Sequence, residues 1–253
     1  MIVLKSPAEI EIMRQAGRIL ADIMDTLIDK VKPGITTLEL DKTAEAQLKK
    51  SGATPAFKGY RGFPRSICVS VNEEVVHGIP GDRCLLEGDI VSIDIGVRYN
   101  GLYSDSAVTV GVGAIDDEKQ RLIDTAKEAL TSGIETMTTA NRLSDICASI
   151  QKVIEGHGFS IVRDFVGHGI GSELHEDPQI PNFGEPGHGA RIKEGMVFAI
   201  EPMVNAGCAD VRIDNDDKWT VKTVDKKPSA HFEHTVALTH KGQEILTWRK
   251  THP

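Results

Sequence analysis

The phrase Val75-Val76-His77-Gly78-Ile79 returns as Val166-Gly167-His168-Gly169-Ile170, and each copy leads toward a strand that bears a carboxylate. After the first copy runs Glu87-Gly88-Asp89-Ile90-Val91-Ser92-Ile93-Asp94; after the second, Glu194-Gly195-Met196-Val197-Phe198-Ala199-Ile200-Glu201. A phrase repeated together with its sequel marks an internal duplication. A histidine and an acid present in both copies point to a site built between two halves.

The flanking segments follow the same grammar. Ser6-Pro7-Ala8-Glu9 is a capping box with proline at the first helical position. Met13, Leu20, Met24 and Leu27 then recur at helical spacing until Lys32-Pro33-Gly34. A second helix opens at Thr36 and ends near Gly52; in the other half, helices open at Asp116 and near Leu143, the last stopped by Gly156-His157-Gly158. No linker rich in serine, glycine or proline separates the halves. The expectation is therefore one α+β domain spanning 1–253, with pseudosymmetric halves of about 1–110 and 111–253 and helices covering a mostly antiparallel sheet.

Composition narrows the function. The 253-residue chain is 40% hydrophobic and 26% charged, ordinary for a globular protein. A formal charge of -8 argues against DNA binding as its main business. The four cysteines, Cys68, Cys84, Cys147 and Cys208, show no CxxC spacing, so neither a zinc knuckle nor a disulfide framework is indicated. The first residues hold too short an apolar run for a signal peptide, and no stretch is long enough to cross a bilayer. The expectation is a cytoplasmic protein without a membrane partner.

Chemistry is most legible from Asp89 to Val110. Val91, Ile93, Ile95 and Val97 alternate with Ser92, Asp94 and Gly96, a half-buried strand of period two. Asn100-Gly101 is a two-residue hairpin signal. That turn sets Gly96 opposite Asp105 and Asp94 opposite Ala107, so both aspartates share one face as diagonal neighbours, roughly 7–8 Å apart. Gly96 and Ala107 would leave that face open. Two carboxylates aimed at one space repel unless protonated, catalytic or bound to a cation; the alternative is a solvated outer face of a hairpin. His168 stands in a glycine-flanked loop, where a histidine is more often a turn residue than a ligand. Glu201 follows an apolar run and precedes Pro202, so it needs a partner. Glu233, in an alternating strand from His231 to Leu238, by itself reads as an exposed-face residue. Together, four carboxylates and one imidazole are the ligand inventory of an oxygen-rich two-metal hydrolytic centre.

With these residues in place, the chain resembles the type I methionine aminopeptidases of metallopeptidase family M24, which have the pita-bread fold. The likeness covers nearly the whole length and rests on several ordered motifs. They are residues 59–66 (GYRGFPRS), Asn72-Glu73, His77-Gly78-Ile79-Pro80, Asp94-Ile95-Gly96 and Gly167-His168-Gly169-Ile170-Gly171, then His175-Glu176-Asp177-Pro178, Glu201-Pro202, Trp219-Thr220 and Glu233-His234-Thr235. Prolidases and aminopeptidases P share the five ligands but normally carry an extra N-terminal domain. Type II enzymes carry a long insertion between the histidine and glutamate ligands, which here stand at positions 168 and 201.

The resemblance implies that Asp94, Asp105, His168, Glu201 and Glu233 bind two divalent ions (cobalt, manganese, iron or zinc), with Asp105 and Glu233 bridging. It implies that Glu201 also shuttles the proton, that His175 stabilises the oxyanion, and that His77 contacts the peptide near its amide. Tyr60, Phe63, Cys68 and Trp219 would receive the methionine side chain. Leu174 and Phe63 depart from the family, which usually has an aromatic at the first position and commonly a tyrosine at the second. The substrate would be the N-terminus of a nascent peptide with a small second residue, and the enzyme a monomer. A monovalent cation near Asn72 and Ser229 is also implied. Separately, Lys218, Lys222, Lys226 and Lys227 cluster beside Trp219; they suit either a transient ribosome contact or a solvated hairpin edge.

Overall fold

The structure is a computed structural model and describes residues 1–250. Four helices are described: α1 (Pro7–Lys30), α2 (Thr37–Ser51), α3 (Asp117–Thr136) and α4 (Leu143–Gly156). Their starts follow from the caps. The Ser6 hydroxyl accepts from the Glu9 amide while the Glu9 carboxylate accepts from the Ser6 amide, and Thr36 and Glu39 repeat this exchange. Asp116 caps α3 by accepting from the Lys119 amide. Gly52 ends α2 in the left-handed conformation that glycine adopts without steric penalty.

A nine-stranded sheet joins the two parts of the sequence. At its centre lies the hairpin Ile90–Tyr99 and Leu102–Gly111, turning at Asn100-Gly101. The second of these strands pairs with Glu233–Thr239, which pairs with Val197–Ile200, which pairs with Gly167–Gly169; all these pairings are antiparallel. Cys68–Val71 flanks the other side of the hairpin.

Period-two alternation gives this sheet two different faces. One carries Val91, Ile93, Ile95, Val108, Phe198, Ile200, Val236 and Leu238, which form a continuous core with residues of all four helices. Full burial of each such side chain contributes about 1.5–3 kcal/mol. The other face carries Cys68, Val197, Ala199 and Ala237 and meets Ala56, Phe57, Phe63 and Leu174. Small residues dominate that second face, and it holds the acids.

The strand that begins at Ile90 runs past Asp94 to Tyr99, as the turn at Asn100-Gly101 requires. Two local expectations are corrected. Gly167-His168-Gly169 is not a loop but a buried strand between two partners; a side chain on Gly169 would collide with the Asp177 carbonyl oxygen. His231 and Glu233 do not share a strand either. Ser229–His231 belongs to a separate three-stranded sheet, and the chain crosses to the main sheet at Phe232.

Candidate active site

The ladder of the main sheet assembles the acids into rows. Cys68 pairs with Asp94, Asp94 with Ala107, and Ala107 with Glu233. One step along, Gly96 pairs with Asp105, while Thr235 pairs with Ala199 and Ala199 with His168. The Thr235 hydroxyl ties these parts together, donating to the Asp105 carbonyl and accepting from its amide, both at 2.8 Å. Glu201 lies two residues beyond Ala199, just past the strand end. Small residues between the acids keep the backbones close without covering the site. Gly96 serves differently from the expectation: its missing side chain admits Phe57, whose ring would lie 2.7 Å from a Cβ there.

Two of the acids are buried and two half-buried, none solvated as on an outer face. Asp105 is 4% exposed and Glu233 2%, which overturns the exposed-face reading of Glu233. The sheet position of Glu233 beside Ala107 is what encloses it. Ligand atoms of Asp105, His168 and Glu233 all lie within 4.8 Å of one another. Glu201 Oε1 stands 3.5 Å from His168 Nε2. Asp94 completes the group through its neighbour Asp105.

Electrostatics follow from this crowding. Burial, then the charge of Asp105, raises Asp94 and Glu201 well above the usual carboxylate range. Burial and the same neighbour do likewise for Glu233. Burial pushes Asp105 up to about 7, although hydrogen bonds from Asp94 and the Ser106 amide pull it down. No lysine or arginine pairs with any of the four among the described residues. Asp94 Oδ1 and Glu233 Oε1 are buried without a hydrogen-bond partner. Such a set is stable when ionised only around a cation.

His168 fits the same requirement. Its Nδ1 lies 2.9 Å from the Gly169 carbonyl oxygen, so Nδ1 carries the proton and Nε2 keeps a free lone pair facing Glu201. Burial lowers its pKa to about 4, holding the ring neutral. The donor set therefore suits divalent ions bound mainly through oxygen.

Around this centre lies a cavity of about 530 Å³, lined by Tyr60, Phe63, Cys68, His77, His175 and Trp219 as well as by the four acids and the imidazole. Phe63 meets Trp219 edge-on, with ring centroids 5.2 Å apart. The Tyr60 hydroxyl lies 2.8 Å from His175 Nδ1, and the His175 ring centroid is 4.3 Å from that of His168. Burial, then His168, lowers His175 to about 3; burial alone brings His77 to about 4. His77 packs edge-on against Phe165 and Trp219. A groove of about 780 Å³ between α1 and residues 238–244 holds none of the expected site residues.

The structure adds residues that the sequence left unassigned. His231, 2% exposed, has Nε2 3.7 Å from Glu201 Oε2 and no hydrogen-bond partner on that atom. Asn182 donates to the Glu201 carbonyl at 3.0 Å. Phe57 and Phe165 wall the cavity. Only Thr235 carried a signal, through its place on the face of Glu233. Asn72 and Ser229 do meet, the Ser229 amide donating to the Asn72 carbonyl at 2.9 Å. Of the lysine cluster, Lys222 is paired with Asp214 at 2.5 Å.

Comparison with known proteins agrees with this geometry. The model of metallopeptidase family M24 matches residues 11–240. A methionine aminopeptidase of Clostridium perfringens is 56% identical, over 98% of this chain and 99% of its own length. Methionine aminopeptidase 1 of Bacillus subtilis is 55% identical with the same coverage. Among solved structures, the methionine aminopeptidase of Thermotoga maritima superposes with a TM-score of 0.96 at 46% identity, covering 99% of this chain and 100% of that one. The prolidase of Pyrococcus furiosus shares the fold more distantly, with a TM-score of 0.78 at 25% identity; the match covers 98% of this chain and 66% of the prolidase. The curled antiparallel sheet with its helices is thus the pita-bread fold, and the chain belongs to the methionine aminopeptidases of metallopeptidase family M24.

Proposed function

We infer that the chain removes the N-terminal methionine from nascent polypeptides by metal-dependent hydrolysis, and that it favours chains with a small second residue. The observation that carries this reading is the buried cluster of Asp105 and Glu233 around His168, whose Nε2 is left free with Glu201 3.5 Å away. Asp94, Asp105, His168, Glu201 and Glu233 would hold two divalent ions. Such ions, when bound, supply Lewis acidity and a water acidic enough to ionise near neutral pH.

The chain's own groups do the rest. Glu201 accepts a proton from the attacking water and delivers it to the leaving amine. With the Tyr60 hydroxyl, 2.8 Å away, as donor to His175 Nδ1, the His175 proton stands on Nε2, the form able to donate to a carbonyl oxygen as it becomes an oxyanion. His77 contacts the substrate's backbone near the scissile amide. Phe63, Trp219, Cys68 and Tyr60 present apolar and polarisable surface suited to a thioether.

The test pairs metal analysis with steady-state rates on Met-Ala-Ser, Gly-Pro and Arg-Pro-Pro. Cleavage of Met-Ala-Ser that disappears on metal stripping and returns with a divalent ion supports the reading. Full activity without metal, or preference for the proline peptides, would overturn it.

A further inference from the structure

The mechanism uses His175 but leaves unexplained how its loop is held. His175 sits at the cavity edge with part of its surface open to solvent, in a turn from Gly171 to Glu176 that follows the strand bearing His168. Backbone bonds from the Gly171 amide to the Glu173 carbonyl and from the Tyr103 amide to the Gly171 carbonyl hold the start of that turn, and one side chain gathers the rest. The Glu176 carboxylate accepts from the Ser172 amide at 2.7 Å, the Ser172 hydroxyl at 3.2 Å and the Glu173 amide at 3.3 Å, all through Oε1. Its other oxygen accepts from Lys5 Nζ at 2.5 Å.

Lys5 is remote in sequence and unusually enclosed. Its side chain is 4% exposed and that of Glu176 8%, so this ion pair is shielded from solvent, unlike most surface pairs. The backbone of Lys5 is fixed as well: its amide donates to the Gly195 carbonyl at 2.7 Å, and the next residue is the cap of α1. Gly171 is the point where the lysine passes, since a Cβ there would lie 2.3 Å from Lys5 Cε and 2.7 Å from Glu176 Oε1. The chain is thus shaped around this pair. Burial would raise the Glu176 carboxyl, but hydrogen bonds from Lys5 and the turn amides outweigh it and hold the group below its usual range.

We propose that Lys5, through its buried ion pair with Glu176, is a positioning residue that fixes the 171–176 turn and so sets His175 for the reaction. The proposal rests on the reading of His175 as oxyanion donor given above. Removing one partner of a buried pair leaves the other charge uncompensated. Glu176 then gives up its turn, and a displacement of about 1 Å at a catalytic group can cost on the order of 10²-fold. Because an oxyanion donor acts mainly in the transition state, the loss belongs in kcat rather than KM.

The experiment compares Lys5→Met, Lys5→Arg, Glu176→Gln and His175→Ala as full chains with saturating divalent metal and Met-Ala-Ser as substrate. Lys5→Met and Glu176→Gln should each lose kcat by about tenfold or more with KM within about twofold. Lys5→Arg should recover most of the rate, and hydrogen exchange at the Ser172 and Glu173 amides should quicken in Lys5→Met. In the His175→Ala background Lys5→Met should cost nothing further. Wild-type kcat in a folded Lys5→Met, or an undiminished additional loss in the His175→Ala background, would overturn the proposal while leaving the role of His175 intact. Full activity of His175→Ala overturns that role and this proposal together. Should Lys5→Met fail to fold, Glu176→Gln is judged by the same kcat and exchange criteria.

Discussion

The two copies of the His-Gly-Ile phrase keep one thing in common and differ in another. What they share is the glycine after the histidine. A Cβ on Gly78 would lie 2.2 Å from the Val69 carbonyl oxygen, and one on Gly169 would lie 2.1 Å from the Asp177 carbonyl oxygen. Both glycines exist so that two backbones can touch. What differs is the histidine. His168 sits within a sheet strand, its Nδ1 satisfied by a carbonyl and its Nε2 turned to the acids. His77 lies just past the strand Glu74–Val76 with a φ of 61°, a left-handed conformation that a non-glycine residue adopts at a cost. On the proposed assignment, the two copies share the packing device while their histidines take on two jobs, one toward metal and one toward substrate.

Four measurements would break or sharpen that contrast. The largest effect belongs to the second copy. Glu201→Gln, just past the strand Val197–Ile200, should lower kcat by about 10²–10⁴-fold, as expected for loss of a proton shuttle. Retained kcat would remove Glu201 from that role. Next comes metal itself. A divalent ion at about 100 times its dissociation constant should stabilise the wild-type fold by about 2.7 kcal/mol in thermal unfolding. The gain should shrink in His168→Ala and persist in His77→Ala; equal gains in both would erase the proposed division of labour.

The shared glycines predict a matched pair. Gly78→Ala and Gly169→Ala should each destabilise the fold by about 1–3 kcal/mol, the cost of forcing atoms into a filled space. Denaturant unfolding that finds one substitution neutral would mean the two copies are not packed by the same device. Smallest is His77→Ala, expected to weaken kcat/KM by about tenfold, or about 1.4 kcal/mol, chiefly through KM. A larger loss confined to kcat would instead give His77 a part in the chemistry.

How much of this was readable beforehand depended on the distance over which each fact is set. The hairpin register, Gly96 opposite Asp105 and Asp94 opposite Ala107, came out as expected because a two-residue turn leaves no freedom of register. Helix starts at Ser6, Thr36 and Asp116 were equally local, since the capping side chain and the amide it serves lie three residues apart. Burial of Glu233 and His168 was not local. It depends on which strands lie beside them, and no pattern within the Glu233–Thr239 strand announces that Ala107 will be its neighbour. The break at Phe232 was hidden for the same reason: His231 to Leu238 alternates smoothly while its two parts enter different sheets. The four acids and the imidazole could be read as a ligand inventory from their residue types, but their individual roles came from resemblance, whereas Lys5 and His231 had no signal at all.

The rows of acids interleaved with Ala107, Thr235 and Ala199 have a consequence for how such an enzyme can change. Because the carboxylates ride on hydrogen-bonded strands, their separations come in steps of the sheet, about 4.8 Å from strand to strand. Side-chain substitution cannot re-gauge that lattice; only a bulge or a lost strand could. The lining contributed from outside it, Tyr60, Phe63, Leu174 and Trp219, is under no such quantum. New substrate preferences should therefore be reached by altering the walls, with the metal seat carried along unchanged like the bed of a machine tool.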